Sequence, residues 1–295
     1  MLIGKFIDYL QIEKNYSSNT LSAYEKDLIE FKIFIKENFE KYPIENAEYK
    51  VIRLWIVELV NKNLSNRSIN RKVSSLKSFY KFLVKTNTIN SSPLLAHSPL
   101  KQSKKIQVPF SKEEVNSLLD SDSFKSDFRG VLQKTIITFF YFTGVRRIEL
   151  INLKESDINM DSSTIRIMGK RSKERIIPML PKLKKSINDY LNLRLNEFNN
   201  KTLEYLFVSK SGCQLSEKYV YRTVNEYFKL VSPKVKKAPH VLRHSFATHL
   251  INEGADINSV KELLGHSSLS ATQVYSHTSM KRIKEVFKNS HPRAK

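Results

Sequence analysis

The chain is poor in the residues that staple or punctuate a fold. Cys213 is its only cysteine in 295 residues. That excludes an intrachain disulfide and a zinc cage built on thiolates, and it fits a reducing compartment, so the cytoplasm is the expected location. Seven glycines are few for this length, and a shortage of backbone-freeing residues points to helix. No uninterrupted apolar run is long enough to span a bilayer. The first ten residues carry Lys5 and Asp8 and lack the apolar core of a signal peptide. Membrane insertion is therefore not expected. Acidic residues are also scarce: 29 Asp and Glu stand against 50 Lys and Arg, a formal net charge of +21. Such a surplus suits a polyanionic partner, nucleic acid first and a membrane surface as the rival. The sequence contains no Gly-x-x-x-x-Gly-Lys-Ser/Thr loop, no His-Glu-x-x-His pair and no paired-carboxylate cluster. No nucleotide cofactor and no metal are expected.

What is present reads as two domains, mainly α. A hydrophobic content of 40% supports real cores. Apolar residues recur at helical spacing in residues 1–14 (Ile3, Phe6, Tyr9, Leu10) and in the next segment (Leu21, Tyr24, Leu28, Phe31, Ile35). Leu54, Trp55 and Leu59 mark a helix near 51–61, and Ile69, Val73, Leu76, Tyr80 and Leu83 mark one over 66–85. The opposite face of that last helix carries Arg67, Arg71, Ser74, Ser78, Lys81 and Lys85. It is either a solvated face or a face laid against DNA, where arginine and lysine meet phosphates and a few side chains reach base edges. Pro93, Pro99 and Pro109, with Lys101, Lys104 and Lys105 between them, read as an extended basic linker. The expected division is a helical domain over 1–100, a linker over 101–110 and a second domain over 111–295.

Ser111 and Glu114 form a capping box that opens the second domain. Residues 131–142 read as a buried helix ended by Thr143–Gly144, with another helix over 145–153. The pattern then alternates over 164–168 and 174–178, a β-hairpin with a basic tip at 169–173. Helices are expected again over 183–197 and 217–230. A short basic amphipathic helix with Ile283, Val286 and Phe287 on its apolar side is expected over 281–289. This second domain is mixed α/β, mostly helical with a small hairpin or sheet.

The densest chemistry lies between residues 239 and 277. His240 and Arg243 are three apart, and if Pro239 opens a helix they share a face. His266 follows Gly265, a residue type that ends helices. Tyr275 and Ser276–His277 come next. Arginine offers a planar fork to phosphate oxygens, histidine donates or moves a proton near neutral pH, and tyrosine can form a covalent intermediate. Together they suggest attack on a phosphodiester that leaves the tyrosine bound to phosphate.

Those residues resemble the active site of the tyrosine recombinases, Xer type: His240-x-x-Arg243, Leu264-Gly265-His266, then Tyr275. Further parts resemble the same family: Tyr16-Ser-x-Asn-Thr20-Leu-x-x-Tyr24, Ser74-Ser-Leu-Lys-Ser-Phe-Tyr80, Gly169-Lys170-x-x-Lys173-Glu-Arg175 and the ending from His291. The resemblance implies a helical core-binding domain and a catalytic domain forming a C-shaped clamp around duplex DNA. It implies Tyr275 as nucleophile, with Arg146, Lys170, His240, Arg243 and His266 as the other catalytic residues. Arg146 is selected because it lies two after Gly144 and three before Glu149; Arg147 departs from the commoner pattern and leaves open which of the two reaches the phosphate. Glu149 is expected to buttress the site, Lys170 to protonate the departing 5′ oxygen, and Lys173 and Arg175 to contact the DNA backbone. Arg67 and Arg71 are the candidate DNA contacts of the first domain, and His244 and His249 are read as structural.

The implied reaction is site-specific cleavage, strand exchange through a Holliday junction and religation, without metal or ATP. The implied assembly is a tetramer on two duplexes with inverted-repeat sites, either of one chain or with a second Xer-type recombinase. The last helix is expected to pack into a neighbouring subunit, and a DNA translocase is a possible activator. Resolution of chromosome dimers during cell division is the expected role. An integrase of a phage or conjugative element is the alternative, and the lack of an arm-binding domain before residue 1 favours the former. A type IB topoisomerase shares the chemistry but would not need a donated helix. A non-catalytic DNA-binding regulator would be favoured by a missing tyrosine or arginine, and neither is missing.

Overall fold

The structure, a computed structural model, describes residues 2–39, 42–102, 108–169, 173–199, 201–234, 237–265, 287 and 289–293. The chain divides into two units, residues 1–105 and 106–295, each with its own apolar core.

The first unit is helical: α1 (Leu2–Ile12), α2 (Ser18–Asn38), α3 (Tyr49–Asn61) and α4 (Asn66–Lys85). The expected stripes face its core. Phe6 and Leu10, Leu28, Phe31 and Ile35, Trp55 and Leu59, and Ile69, Val73, Leu76, Tyr80 and Leu83 are all buried. Leu54 is not; it lies exposed on α3. Ser65 caps α4 by accepting from the Ser68 amide. The expected polar face of α4 is outward, with Arg67, Arg71, Ser74, Lys81 and Lys85 exposed. Two charges depart from the expected stripes. Asp27 on α2 and Lys72 on α4 are buried in the core-facing surfaces, where they pair with each other and with Arg71 and Glu30.

The second unit opens on α5 (Lys112–Leu119), whose Ser111–Glu114 capping box is formed from both sides. Next is α6 (Phe128–Thr143), buried along nearly its whole length. It starts three residues earlier than the apolar run suggests because Asp127 caps the Gly130 amide. Gly144 ends it in the left-handed region, φ 59°. The following helix α7 is shorter than the sequence suggests, Arg147–Ile151.

A three-stranded antiparallel sheet then runs β1 (Ile158–Asn159), β2 (Thr164–Met168), β3 (Glu174–Pro178) in that order. The hairpin of β2 and β3 matches the expected alternation, with Ile165 opposite Ile177 and Met168 opposite Glu174. The two-residue β1 is an addition that so short a segment could not signal. The remaining elements are α8 (Pro181–Glu197), α9 (Glu217–Val231), α10 (Pro239–Asn252) and α11 (Ile257–Leu264). No helix among the described residues is long and apolar enough to cross a membrane.

Two features hold α10 in place. The Ser245 hydroxyl accepts from the Phe110 amide at 2.8 Å and donates to the Val241 carbonyl. His249, the last turn's histidine, meets the Tyr141 hydroxyl of α6 through Nδ1 at 3.0 Å, both buried. Burial, more than any neighbour, pushes the His249 pKa down. Its place is structural, as expected; His244, one turn earlier, is exposed.

The end of the chain returns to the same unit. Phe287 is fully buried beside Phe246, and His291 stacks on Phe142 with ring centroids 4.5 Å apart. Arg293 forks onto Asp120 at 2.5 and 3.0 Å. In this single chain the described end of the expected closing helix therefore rests on its own unit, while residues 281–286 and 288 lie outside the described residues.

Candidate active site

Sequence places Pro239 at the first turn of α10, where its missing amide proton costs no helical bond and its fixed φ suits the helix. His240 is thereby exposed on the first turn and Arg243 follows one turn on. The Arg243 side chain spans two elements: Nη1 donates to the Gly144 carbonyl at 2.6 Å and Nη2 to the Leu264 carbonyl at 2.7 Å. Burial, then the charges of Arg146 and Arg175, push its pKa down to about 10, with Glu149 opposing. It stays protonated at neutral pH.

Arg146 sits at the N-cap of α7, two residues after the left-handed Gly144. Glu149, three residues on, accepts from the Arg146 amide at 2.8 Å and from its Nη1 at 2.7 Å. Arg146 Nη2 reaches toward the Gly265 carbonyl at 3.5 Å. The neighbouring Arg147 turns away and pairs with Glu217 of α9.

Arg175 corrects the expectation drawn for it. It is not a DNA-backbone contact, because it is 4% exposed. Its two Nη atoms donate to the two oxygens of Glu149 at 3.2 and 2.7 Å, and its Nε donates to the Leu263 carbonyl at 2.8 Å. The signal was in the strand alternation. Position 175 shares a face with Ile177, and both are buried on β3, so an arginine there needs an internal partner. Burial alone would raise the Glu149 pKa, but Arg175 and Arg146 hold it below the ordinary carboxylate value.

These bonds converge on one feature. The carbonyls of Leu263, Leu264 and Gly265 accept in turn from Arg175, Arg243 and Arg146. They belong to the C-terminal end of α11, where carbonyls lack helical partners and the helix dipole is negative. Gly265 is left-handed there, φ 65°. A side chain at that position would press on the Arg175 guanidinium, with Cβ 3.3 Å from Nη1. Next in the chain is His266. The cluster holds three guanidinium groups and one buried carboxylate, which pairs with Arg146 and Arg175, so it stays electropositive and suited to an anionic phosphate.

The structure thus brings Arg146, Arg243, Glu149 and Arg175 together, with His240 at the start of the same helix as Arg243. Lys170, His266 and Tyr275 lie outside the described residues. Lys173 is exposed where the hairpin resumes, and its carbonyl accepts from the Gly169 amide at 2.8 Å. Among the described residues no group of three or more His, Cys, Asp or Glu side chains could hold a metal ion.

Comparison with known proteins identifies the family. The phage integrase family matches residues 110–282, and the phage integrase N-terminal SAM-like domain matches residues 3–87. Tyrosine recombinase XerC of Bacillus pumilus is 38% identical over 298 aligned residues, covering 99% of this chain and 97% of that protein. Tyrosine recombinase XerC of Oceanobacillus iheyensis is 36% identical, covering 100% and 97%. Among solved structures, the XerH site-specific recombinase in a post-cleavage complex with palindromic difH DNA has a TM-score of 0.70. It is 23% identical, with coverage of 97% of this chain and 94% of that one. The Tn1549 transposon integrase bound to transposon right-end DNA has a TM-score of 0.70 at 20% identity, covering 96% and 99%. The mostly helical fold of a SAM-like domain followed by a catalytic domain is that of these proteins. The chain belongs to the phage integrase family, as a tyrosine recombinase.

Proposed function

We propose that the chain is a site-specific DNA recombinase that cuts and rejoins DNA through a covalent 3′-phosphotyrosine, in resolving chromosome dimers. The observation that carries the chemistry is the set of three arginines on successive carbonyls ahead of His266. Two of them, Arg146 and Arg243, are only part-buried and keep N–H groups for a phosphate, while Arg175 is buried with all three of its nitrogens already bonded. The pairing of Arg147 with Glu217 supports Arg146 as the arginine that meets the phosphate. The role follows from full-length relatives named XerC at 36–38% identity.

In this reading the Tyr275 oxygen bonds to phosphorus as the bond from phosphorus to the 5′ oxygen breaks. The phenol proton passes to His240, and Lys170 gives a proton to the departing 5′ oxygen. Free phenol ionises near pH 10, so forming phenolate at pH 7 costs roughly 4 kcal/mol unless the proton leaves as the bond forms. Charge spreads over the phosphate oxygens in the transition state, and Arg146, Arg243 and a donor on His266 meet it there. The phosphotyrosine keeps the energy of the broken link, so a 5′ hydroxyl of another strand can displace the tyrosine and reseal the chain without fuel. Two such exchanges make and resolve a Holliday junction.

The partners in this reading are duplex DNA with an inverted-repeat site and three further protomers, of this chain or of a second recombinase, the four forming a tetramer on two duplexes. A DNA translocase would act on the assembled complex. The place of action is the nucleoid in the cytoplasm. Arg67 and Arg71 on the outward face of α4, and Lys173 beside the hairpin tip, are the further DNA contacts of this reading, with Arg67 and Lys173 on the backbone.

The test is a nicked suicide duplex carrying the binding site. Wild type should form a covalent protein–DNA adduct in the presence of EDTA, and Tyr275→Phe should bind equally well and form none. An adduct with Tyr275→Phe would place the nucleophile elsewhere, and loss in EDTA restored by Mg²⁺ would point to a metal nuclease.

A further inference from the structure

Arg71 stands on the outward face of α4, its side chain 49% exposed. Its guanidinium is nevertheless not a loose surface charge. Nη1 donates to Asp27 Oδ2 at 2.5 Å and Nη2 to Asp27 Oδ1 at 2.9 Å, a two-pronged fork across α2 and α4. Asp27 is 1% exposed and is itself held from behind: the Ser75 hydroxyl donates to Oδ2 at 2.7 Å and the Lys72 ammonium to Oδ1 at 3.3 Å. Lys72, also buried, completes the set on Glu30 at 2.5 Å. Two cations and two anions cancel, so the cluster adds little net attraction for a phosphate. What it provides is orientation.

We propose that Arg71 is a base-reading residue, set by Asp27 to recognise a guanine in the major groove of the target site. This rests on the recombinase reading above and assigns a specificity role within it. The argument is geometric. Asp27 takes one hydrogen from each of Nη1 and Nη2, which leaves the second Nη2 hydrogen beside Nε–H along the other edge of the guanidinium. That edge presents two parallel N–H groups, the pattern that matches guanine O6 and N7. At Arg146 three guanidinium groups outnumber one carboxylate, whereas here two cations meet two anions, so no surplus charge is left for a phosphate, whose binding is driven by net charge and counterion release. An arginine meant for a base edge gains a fixed rotamer, so less side-chain entropy is lost on binding. Asp27 is accordingly a positioning residue acting through Arg71.

The test uses the full-length chain and a pool of randomised duplexes, from which wild type, Arg71→Lys, Arg71→Ala and Asp27→Asn each select their preferred site. Arg71→Lys keeps a cation to pair with Asp27, so it keeps the fold while losing the two-pronged edge. The expected result is that both Arg71 variants lose preference at one G·C pair of the wild-type site, and at that pair only. The loss should be about 5- to 150-fold in affinity for the wild-type site, with no change for duplexes already altered at that pair. Replacing the guanine there by 7-deazaguanine should weaken wild type and leave Arg71→Lys unaffected. Asp27→Asn should weaken the same preference in part.

A uniform loss across all sequences, with the salt slope reduced by about one, would make Arg71 a phosphate contact and overturn the proposal. An unchanged selected site with only a lower melting temperature would reduce the cluster to a tie between helices, which overturns it equally. A wild-type chain that enriches no sequence at all would remove the recombinase reading together with this one. A wild type that enriches a site which the variants read identically removes only this one.

Discussion

At the scale of single residues, the centre of the site is a charge network rather than a set of independent side chains. Arg175 touches no solvent to speak of, yet it fixes both Glu149 and the end of α11. Removing one partner of a buried ion pair costs about 3–5 kcal/mol. Arg175→Met should therefore lower stability on that order, measured by denaturant unfolding. Arg175→Lys should fold better but slow adduct formation while leaving DNA affinity unchanged, because Arg146 and Arg243 lose their shared reference. His291 carries a separate prediction. Burial pushes its pKa down to about 4 from an ordinary 6.5. The unfolded chain then binds a proton that the folded chain refuses between those two values. Stability is complete above pH 6.5 and falls as the pH drops toward 4, by up to about 3 kcal/mol. Denaturation at pH 7 and pH 5 should show the slope, and His291→Phe should flatten it.

At the scale of elements, the turn from α6 into α7 decides where Arg146 and Arg243 lie. Gly144 supplies a left-handed residue, and its carbonyl anchors Arg243. A Cβ there would collide with the Phe246 ring and the Leu264 side chain. Gly144→Ala should cost about 1–2 kcal/mol for the backbone and about 1–3 kcal/mol for overpacking. It should also reduce adduct formation more than DNA binding. Ser111→Ala is the contrasting change. It removes one side of the α5 capping box at a cost of about 1 kcal/mol. The cap bonds within itself and to Lys234, and not to an arginine of the cluster, so adduct yield at a temperature below melting should be unchanged.

At the scale of the whole molecule, two cores with no member in common imply two folding units. Residues 2–102 and 108–295, expressed apart, should each unfold cooperatively, judged by circular dichroism against temperature. The net charge of +21 adds a prediction for the intact chain. Its DNA affinity should fall linearly on a log–log plot against salt. With six to ten phosphate contacts the fall between 50 and 200 mM is about 10³- to 10⁵-fold. A shallow dependence would mean that the surplus charge serves solubility rather than binding.

Much of this was legible in the chain itself. Helical periodicity placed α1 to α4 and their inward stripes, the Ser111–Glu114 pair announced α5, and two alternating runs marked the hairpin. The spacing His240-x-x-Arg243 behind a proline was enough to put both side chains at the start of one helix. These are local signals, and periodicity and capping act over a few residues. Contacts between distant segments have no such signature. That Arg175 faces inward to Glu149, that Arg147 leaves the site for Glu217, and that Asp27 holds Arg71 across two helices all depend on sequence separations of 26 to 70 residues. Only tertiary packing could decide them, because a buried charge takes whatever partner the fold brings within reach, and the sequence names the charge without naming the partner.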